Sequence, residues 1–296
     1  MTETTAAQWT PSAADIETAR ITDFARFVTA RTGLEFPDYR SLWQWSVDDI
    51  AGFWRAVWDY FDLGAAPGEA LAEPTMPGAR WFPEVRLNYV DRVARQARTD
   101  RPAILDIGED APLRELSWAE LLTRTDAFAR TLRAHGVRAG DRVAGYLPDI
   151  PEAVIAFLAT ASIGAIWSAC GQDYSPQAAL DRLGQLEPVV LVTADGYRYG
   201  GREHDRRAEI AAVRAGLPSV RTTVAVSRLG YTVPGAVAWE DASAGGAAEF
   251  DAEAKGREFV TEPVAFDHPL WVLYSSGTTG KPKGIVHGHG GVLLEH

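Results

Sequence analysis

The residues best suited to chemistry are Ser275–Gly284, which read SSGTTGKPKG directly after the apolar run PLWVLY. Glycines let a backbone turn sharply and bring several N–H groups close to one anion. Serine and threonine hydroxyls add donors, and Lys281 and Lys283 add positive charge. Together these are the parts of a cradle for a polyphosphate. The spacing is not that of the Walker A loop, which needs Gly, four residues, then Gly-Lys-Ser/Thr. Ser275 stands where the first glycine would be, and Pro282 follows Lys281. The loop is therefore read as a phosphate cradle of another design.

Two histidines lie just beyond it, His287 and His289. At i and i+2 on a strand they would point to one face. No third metal ligand stands nearby in the sequence, so a structural or substrate-proximal role is expected rather than a metal site. The single cysteine, Cys170, sits in the apolar run GAIWSAC and reads as a buried structural thiol. With one cysteine there is neither an intramolecular disulfide nor a cysteine-cluster metal site.

The elements that must position this loop follow from hydrophobic spacing. From residue 103 the chain alternates between short Val/Ile/Leu-rich runs and amphipathic stretches. The runs AILDI, DRVAGYL, AIWSAC, VVLVTAD, RTTVAVS and PLWVLY predict strands. The stretches starting at Ser117, Pro151, Ser175 and Asp205 predict helices. Ser117 with Glu120 forms a capping box, Gly136 suits the stop, and Pro151 falls in a first turn, where its missing N–H costs little. Strand–helix alternation with continuous apolar strands predicts an α/β fold: a mostly parallel sheet with helices on both faces.

Upstream lies a helical N-terminal segment. Ile16, Ile21, Phe24, Phe27 and Val28 have helical spacing. Ile50, Phe53, Trp54, Val57, Trp58 and Phe61 form an aromatic stripe read as core, with Ser46 and Asp49 as its cap. Residues 229–268, rich in Ala, Gly and acids, are read as a surface excursion. The expected division is residues 1–100 as a helical segment packing on the main domain, and 101–296 as an α/β subdomain ending just after the loop.

Composition narrows the partners. The 296 residues are 46% hydrophobic and carry a net charge of −11. An acidic chain repels phosphate backbones, so nucleic acid is not an expected partner. No apolar run approaches the 18 residues of a membrane span. The N-terminus lacks a signal-peptide pattern, which predicts a cytoplasmic protein. A homo-oligomer stays open.

The ten-residue loop resembles the phosphate loop of the adenylate-forming superfamily, to which acyl-CoA synthetases, luciferases and peptide-synthetase adenylation domains belong. ELSWAELL and ATASIGAIWSACGQDYS resemble two further motifs of that family. FPDYRSLWQWSVDDIAGFWRAVWDYFDL, MPGARWFPEVRLNY and YRYGGREHDRRAEI resemble the branch that joins acetoacetate to CoA. The resemblance runs from about Phe36 to His296.

It implies an AMP-forming ligase with acetoacetate, ATP and CoA as substrates and Mg²⁺ accompanying the nucleotide. A carboxylate attacks the α-phosphate of ATP, and the CoA thiol then displaces AMP. It assigns Ser275, Ser276, Gly277, Thr278, Thr279, Gly280 and Lys283 to the ATP phosphates, while Lys281 falls at a variable position. It assigns Arg198, Arg202 and Gly171 to CoA, although one extra residue separates the arginines here. The plain alternative for that pair is an exposed basic turn. The family's adenine motif, acidic Mg²⁺ ligand, ribose-binding Asp, hinge and adenylation lysine are expected beyond His296. The chain is thus expected to be a partial catalytic domain that cannot complete adenylation alone, with an open sheet edge. Two alternatives stand beside it: activation of acetate, propionate or another short acid, and a non-catalytic module that holds nucleotide or CoA.

Overall fold

The computed structural model describes residues 9–109, 112–244, 260–275 and 280–296. It divides into two compact units, Met1–Val85 and Arg86–His296. The division falls before residue 100 because the segment after Arg86 is tied into the second unit. Asn88 is buried and donates from Nδ2 to the carbonyls of Ala161 and Glu262, each at 2.9 Å.

The first unit contains helices α1 (Ala13–Thr18), α2 (Arg20–Thr32), α3 (Tyr39–Asp48) and α4 (Ile50–Tyr60), followed by the short pair β1 (Leu71–Glu73) and β2 (Arg80–Trp81). The helix α3 was not foreseen. Asp38 starts it through a reciprocal cap with Ser41, and Asp49 caps α4 by accepting from the Gly52 N–H. Ser46 is therefore no cap. It lies inside α3 and donates to the carbonyl of Trp43. Nor is the aromatic stripe uniformly core. Trp58 is buried against Phe82, whereas Ile50 and Phe61 are exposed. Phe24, Val28 and Leu42 form the centre of this unit, edged by Phe53, Val57 and Tyr60.

The second unit opens with β3 (Arg86–Leu87) and α5 (Tyr89–Arg95), then a hairpin of β4 (Ile104–Asp106) and β5 (Arg114–Leu116). Next come α6 (Trp118–Ala134), β6 (Arg142–Tyr146), α7 (Pro151–Ser162), β7 (Ile166–Cys170), α8 (Pro176–Leu183) and β8 (Val190–Ala194). A second hairpin, β9 (Gly196–Tyr199) and β10 (Arg202–Asp205), leads to α9 (Arg207–Ala215) and β11 (Thr222–Val226). The chain continues with β12 (Val237–Ala238), α10 (Trp239–Ala244), β13 (Val264–Ala265), β14 (Pro269–Ser275), β15 (Lys283–Gly288) and α11 (His289–Glu295).

The sheet has seven strands in the order β12-β11-β8-β6-β7-β14-β15. All neighbours are parallel except β14 and β15, which are antiparallel. Both faces are covered, as the alternation predicts. Val143, Val190, Val192 and Val224 pack with α6, α7 and α10 through Phe128, Ile155 and Trp239. Ala144, Tyr146 and Leu191 pack on the other face with α8 and α9 through Leu183, Ile210 and Val213. Full burial of a side chain such as Ile210 stabilises the fold by about 2–3 kcal/mol.

The expected capping signals of the second unit hold. Ser117 and Glu120 form the reciprocal cap of α6, Gly136 closes it at φ +77°, and Ser175 caps α8. The 229–268 stretch is not only a surface excursion: β12 extends the sheet and Trp239 is buried in its core. At the opposite edge β15 leaves Ile285 and Val286 about half exposed, at 47% and 58%.

Candidate functional site

In a parallel sheet all strands end on one side, and that side is where open α/β sheets bind ligands. Here the C-terminal ends belong to Tyr146, Cys170, Ala194, Val226 and Ser275. Every residue singled out above for ATP or CoA follows one of these ends.

Ser275 and Lys283 stand opposite each other in the β14–β15 register, so they form the neck of the phosphate loop. Lys283 is exposed, and Gly280 takes φ +95°, a conformation open mainly to glycine. Ser276, Gly277, Thr278 and Thr279 lie outside the described residues. The neck is braced from α8 and the turn after it: Tyr274 donates from its hydroxyl to the Arg182 carbonyl at 2.6 Å, and Gln185 donates from Nε2 to the Pro282 carbonyl at 3.1 Å.

Gly171 follows β7, the strand beside β14, and is half-buried. Its neighbour Gln172 is buried and donates to the Ala194 carbonyl at 2.6 Å, joining the ends of β7 and β8. Cys170 is half-buried, and desolvation pushes its thiol up to about 12, so it is held as an unreactive thiol.

Arg198 and Arg202 lie on the β9–β10 hairpin. Gly200 and Gly201 form its two-residue turn with φ of +62° and +69°, as such tight hairpins require. The register pairs Arg198 with Glu203 and Arg202 with Tyr199. Because side chains alternate along a strand, Arg198 and Arg202 occupy opposite faces of the ribbon. The structure does not bring them together. The Nη2 of Arg198 reaches Oε1 of Glu203 at 2.5 Å, and Tyr231 donates to the other oxygen at 3.4 Å. Among the described residues the Arg202 guanidinium has no hydrogen-bond or ion-pair partner.

The hairpin's base is organised by Asp195, which spacing alone did not single out. It is fully buried and accepts from the N–H groups of Arg228 at 2.7 Å, Leu229 at 3.0 Å and Tyr231 at 2.8 Å. Its own carbonyl accepts from the Arg206 N–H at 3.0 Å, closing the hairpin's ends together. Gly196 has no room for a side chain, since a Cβ there would sit 2.3 Å from the His204 carbonyl oxygen.

The two histidines separate. His287 is half-buried on β15 near Trp271. His289 opens α11, is fully buried, and accepts at Nδ1 from the Tyr89 N–H at 3.1 Å. Desolvation, aided by nearby His268, lowers it to about 3, so it is neutral. Among the described residues no three His, Cys, Asp or Glu are grouped to hold a metal. No helix of the described residues is long and apolar enough to cross a membrane.

The fold agrees with what comparison shows. The family profile for AMP-binding enzymes matches residues 90–295, and that for the acetyl-coenzyme A synthetase N-terminus matches residues 39–93. The chain belongs to the AMP-binding enzyme family.

Within that family it is similar to the acetoacetyl-CoA synthetases. The protein of Rhizobium meliloti (strain 1021) is 39% identical over 97% of this chain and 44% of its own length. A solved structure, acetoacetyl-CoA synthetase from Streptomyces lividans, superposes with a TM-score of 0.89 at 46% identity, covering 97% of this chain and 44% of its own. The malonamoyl-CoA synthetase of Penicillium aethiopicum is 33% identical over 92% of this chain and 39% of its own. The chain thus spans about 44% of the length of the acetoacetyl-CoA synthetases it matches.

Proposed function

We propose that this chain forms the N-terminal part of an ATP-dependent, AMP-forming ligase that activates acetoacetate and passes the acyl group to CoA. The observation that carries this reading is the similarity to acetoacetyl-CoA synthetases along 97% of the chain, with Ser275 and Lys283 at the neck of a loop on the ligand-binding side of the sheet.

The chemistry asks for charge stabilisation more than for an acid–base pair. An acetoacetate oxygen attacks the α-phosphorus of ATP as the bond to pyrophosphate breaks. The CoA sulfur then attacks the acyl carbon, and AMP leaves with the bonding electrons. In this reading Lys283 and the Ser275–Gly280 loop hold the β- and γ-phosphates while negative charge gathers on the departing pyrophosphate. Mg²⁺ accompanying the nucleotide would supply further screening of that charge. Gly171 and the β9–β10 hairpin face the nucleotide end of CoA. Arg202, whose guanidinium has no partner among the described residues, is the stronger phosphate partner, because Arg198 is already paired with Glu203.

The choice of acid rests on less. A relative named for malonamoyl-CoA matches this portion at 33% identity, not far below the first acetoacetyl-CoA relative. Acid-dependent ATP–pyrophosphate exchange in the protein extended to its relatives' length decides it. Exchange fastest with acetoacetate supports the proposal. Faster exchange with acetate, propionate or malonamate moves the substrate to that acid, and none with any acid returns the chain to a nucleotide- or CoA-holding module.

A further inference from the structure

Pro282 is the last residue before Lys283, and its ring holds φ at about −65°. With the peptide bond planar, the one soft torsion left between the two residues is ψ of Pro282. That torsion turns the Pro282 carbonyl and sets the direction in which Lys283 leaves. The carbonyl is held in place from another part of the chain. Gln185, in the turn after α8, donates to it from Nε2 at 3.1 Å and to the Asp181 carbonyl at 2.6 Å. A primary amide nitrogen carries two N–H groups, and here each has a carbonyl to meet. Glutamate would turn an oxygen toward two carbonyl oxygens, and methionine would offer no donor.

The incoming limb of the loop is tied to the same helix end, through the bond from the Tyr274 hydroxyl to the Arg182 carbonyl. Asp181 and Arg182 lie in the last turn of α8, where carbonyls lack a full set of intrahelical donors. Helix α8 is itself fixed, because Ala179 and Leu183 are fully buried in the core. One anchored helix end thus holds the chain on both sides of the loop. We infer that Gln185 is a positioning residue for the phosphate loop: it fixes the Pro282 carbonyl and so aims Lys283 at the ATP phosphates. The inference rests on the reading of Lys283 and its loop as the ATP clamp. Gln185 touches no reactant in it and acts only through Pro282.

ATP–pyrophosphate exchange in the full-length ligase reads the first half-reaction without CoA. Gln185→Met keeps the length of the side chain and adds no charge, and Gln185→Ala removes the side chain beyond Cβ. Both are expected to lower kcat/KM for ATP by about three- to tenfold, the range for the loss of one intramolecular hydrogen bond. The KM for CoA and the melting temperature should stay at the parent values, since Gln185 is exposed. Methionine at the parent level with alanine impaired would mean that Gln185 only packs, and would overturn the inference. A lower melting temperature with equal changes for ATP and CoA would overturn it too. Lys283→Ala separates the inference from the reading beneath it. If Lys283→Ala abolishes exchange while both Gln185 variants match the parent, only the role of Gln185 falls. If Lys283→Ala leaves exchange untouched, the clamp reading falls and the inference with it.

Discussion

Arg198 and Arg202 sit on opposite faces of one hairpin, the first paired with Glu203 and the second opposite Tyr199. Two arginines four residues apart look interchangeable in a sequence. The register makes them unequal, because one guanidinium has an anionic partner and the other has none among the described residues.

The first prediction follows. Arg202→Ala should raise the KM for CoA about tenfold in the full-length ligase, the loss of one charge-assisted phosphate contact. Arg198→Ala should raise it less than about threefold. Steady-state kinetics with varied CoA and saturating ATP and acid would show this. Equal effects would mean that one phosphate reaches both faces, against the register seen here.

Lys283 gives the second. It is exposed and begins β15 opposite Ser275. An exposed lysine contributes little to stability, so Lys283→Ala should shift the melting temperature by no more than about 2 °C. Turnover should fall by about 10²-fold or more, as when a preorganised charge is removed from a phosphoryl transition state. Turnover kept near the parent level would remove Lys283 from the phosphate clamp.

His289 gives the third. Its folded-state value is lowered to about 3, against about 6.5 for an unperturbed histidine. Between those values the unfolded chain holds a proton that the folded chain refuses. The stabilising contribution is therefore complete above pH 6.5 and is lost as pH falls toward 3. Between pH 7.5 and pH 5 this group should lower the melting temperature by roughly 4–8 °C. His289→Asn should be less stable at pH 7.5 yet show a flatter decline with acid. Parallel declines in the two proteins would place the acid sensitivity elsewhere.

Asp195 gives the fourth. Three backbone N–H groups converge on its buried carboxylate. Asparagine would turn an NH₂ toward at least one of them, leaving a buried donor unpaired at a cost of about 1–3 kcal/mol. Asp195→Asn should lower the melting temperature and raise the KM for CoA more than the KM for ATP, because the carboxylate lies at the root of the hairpin. Unfolding curves and the two KM values, measured together, would show whether the two effects travel as one.

Much of the second unit is legible without coordinates because its signals are local. Ser117 with Glu120, Pro151, Ser175 and Gly136 each act within one turn of the chain, and each does what its chemistry requires. Ser46 shows how such a signal misleads. It has the spacing of a cap with Asp49, but Asp38 and Ser41 begin a helix eight residues earlier, and Asp49 caps the next one. A local pattern cannot tell which of two overlapping candidates the packing will choose.

The site is legible in part for the same reason. The SSGTTGKPKG loop stands out by composition, and Gly200-Gly201 between strand-like residues is itself a hairpin signal. Asp195 and Trp239 carry no such mark. Asp195 matters through residues 33–36 positions away. Trp239 sits in a stretch too polar and Gly-rich to look like core, and β12 draws it in by pairing with β11.

The strand order also has a consequence in time. β7 ends at Cys170, and its other neighbour in the sheet, β14, begins at Pro269. The hydroxyl of Ser168 donates to the Val272 carbonyl, a partner 104 residues further on. At a ribosome adding about 5–20 residues per second, that partner emerges roughly 5–20 s after Ser168. Throughout that interval the edge of β7 that will face β14, a strand that includes Trp167, lacks its partner. The edge of β7 that lies inside the finished sheet is therefore covered long after the strand itself is made.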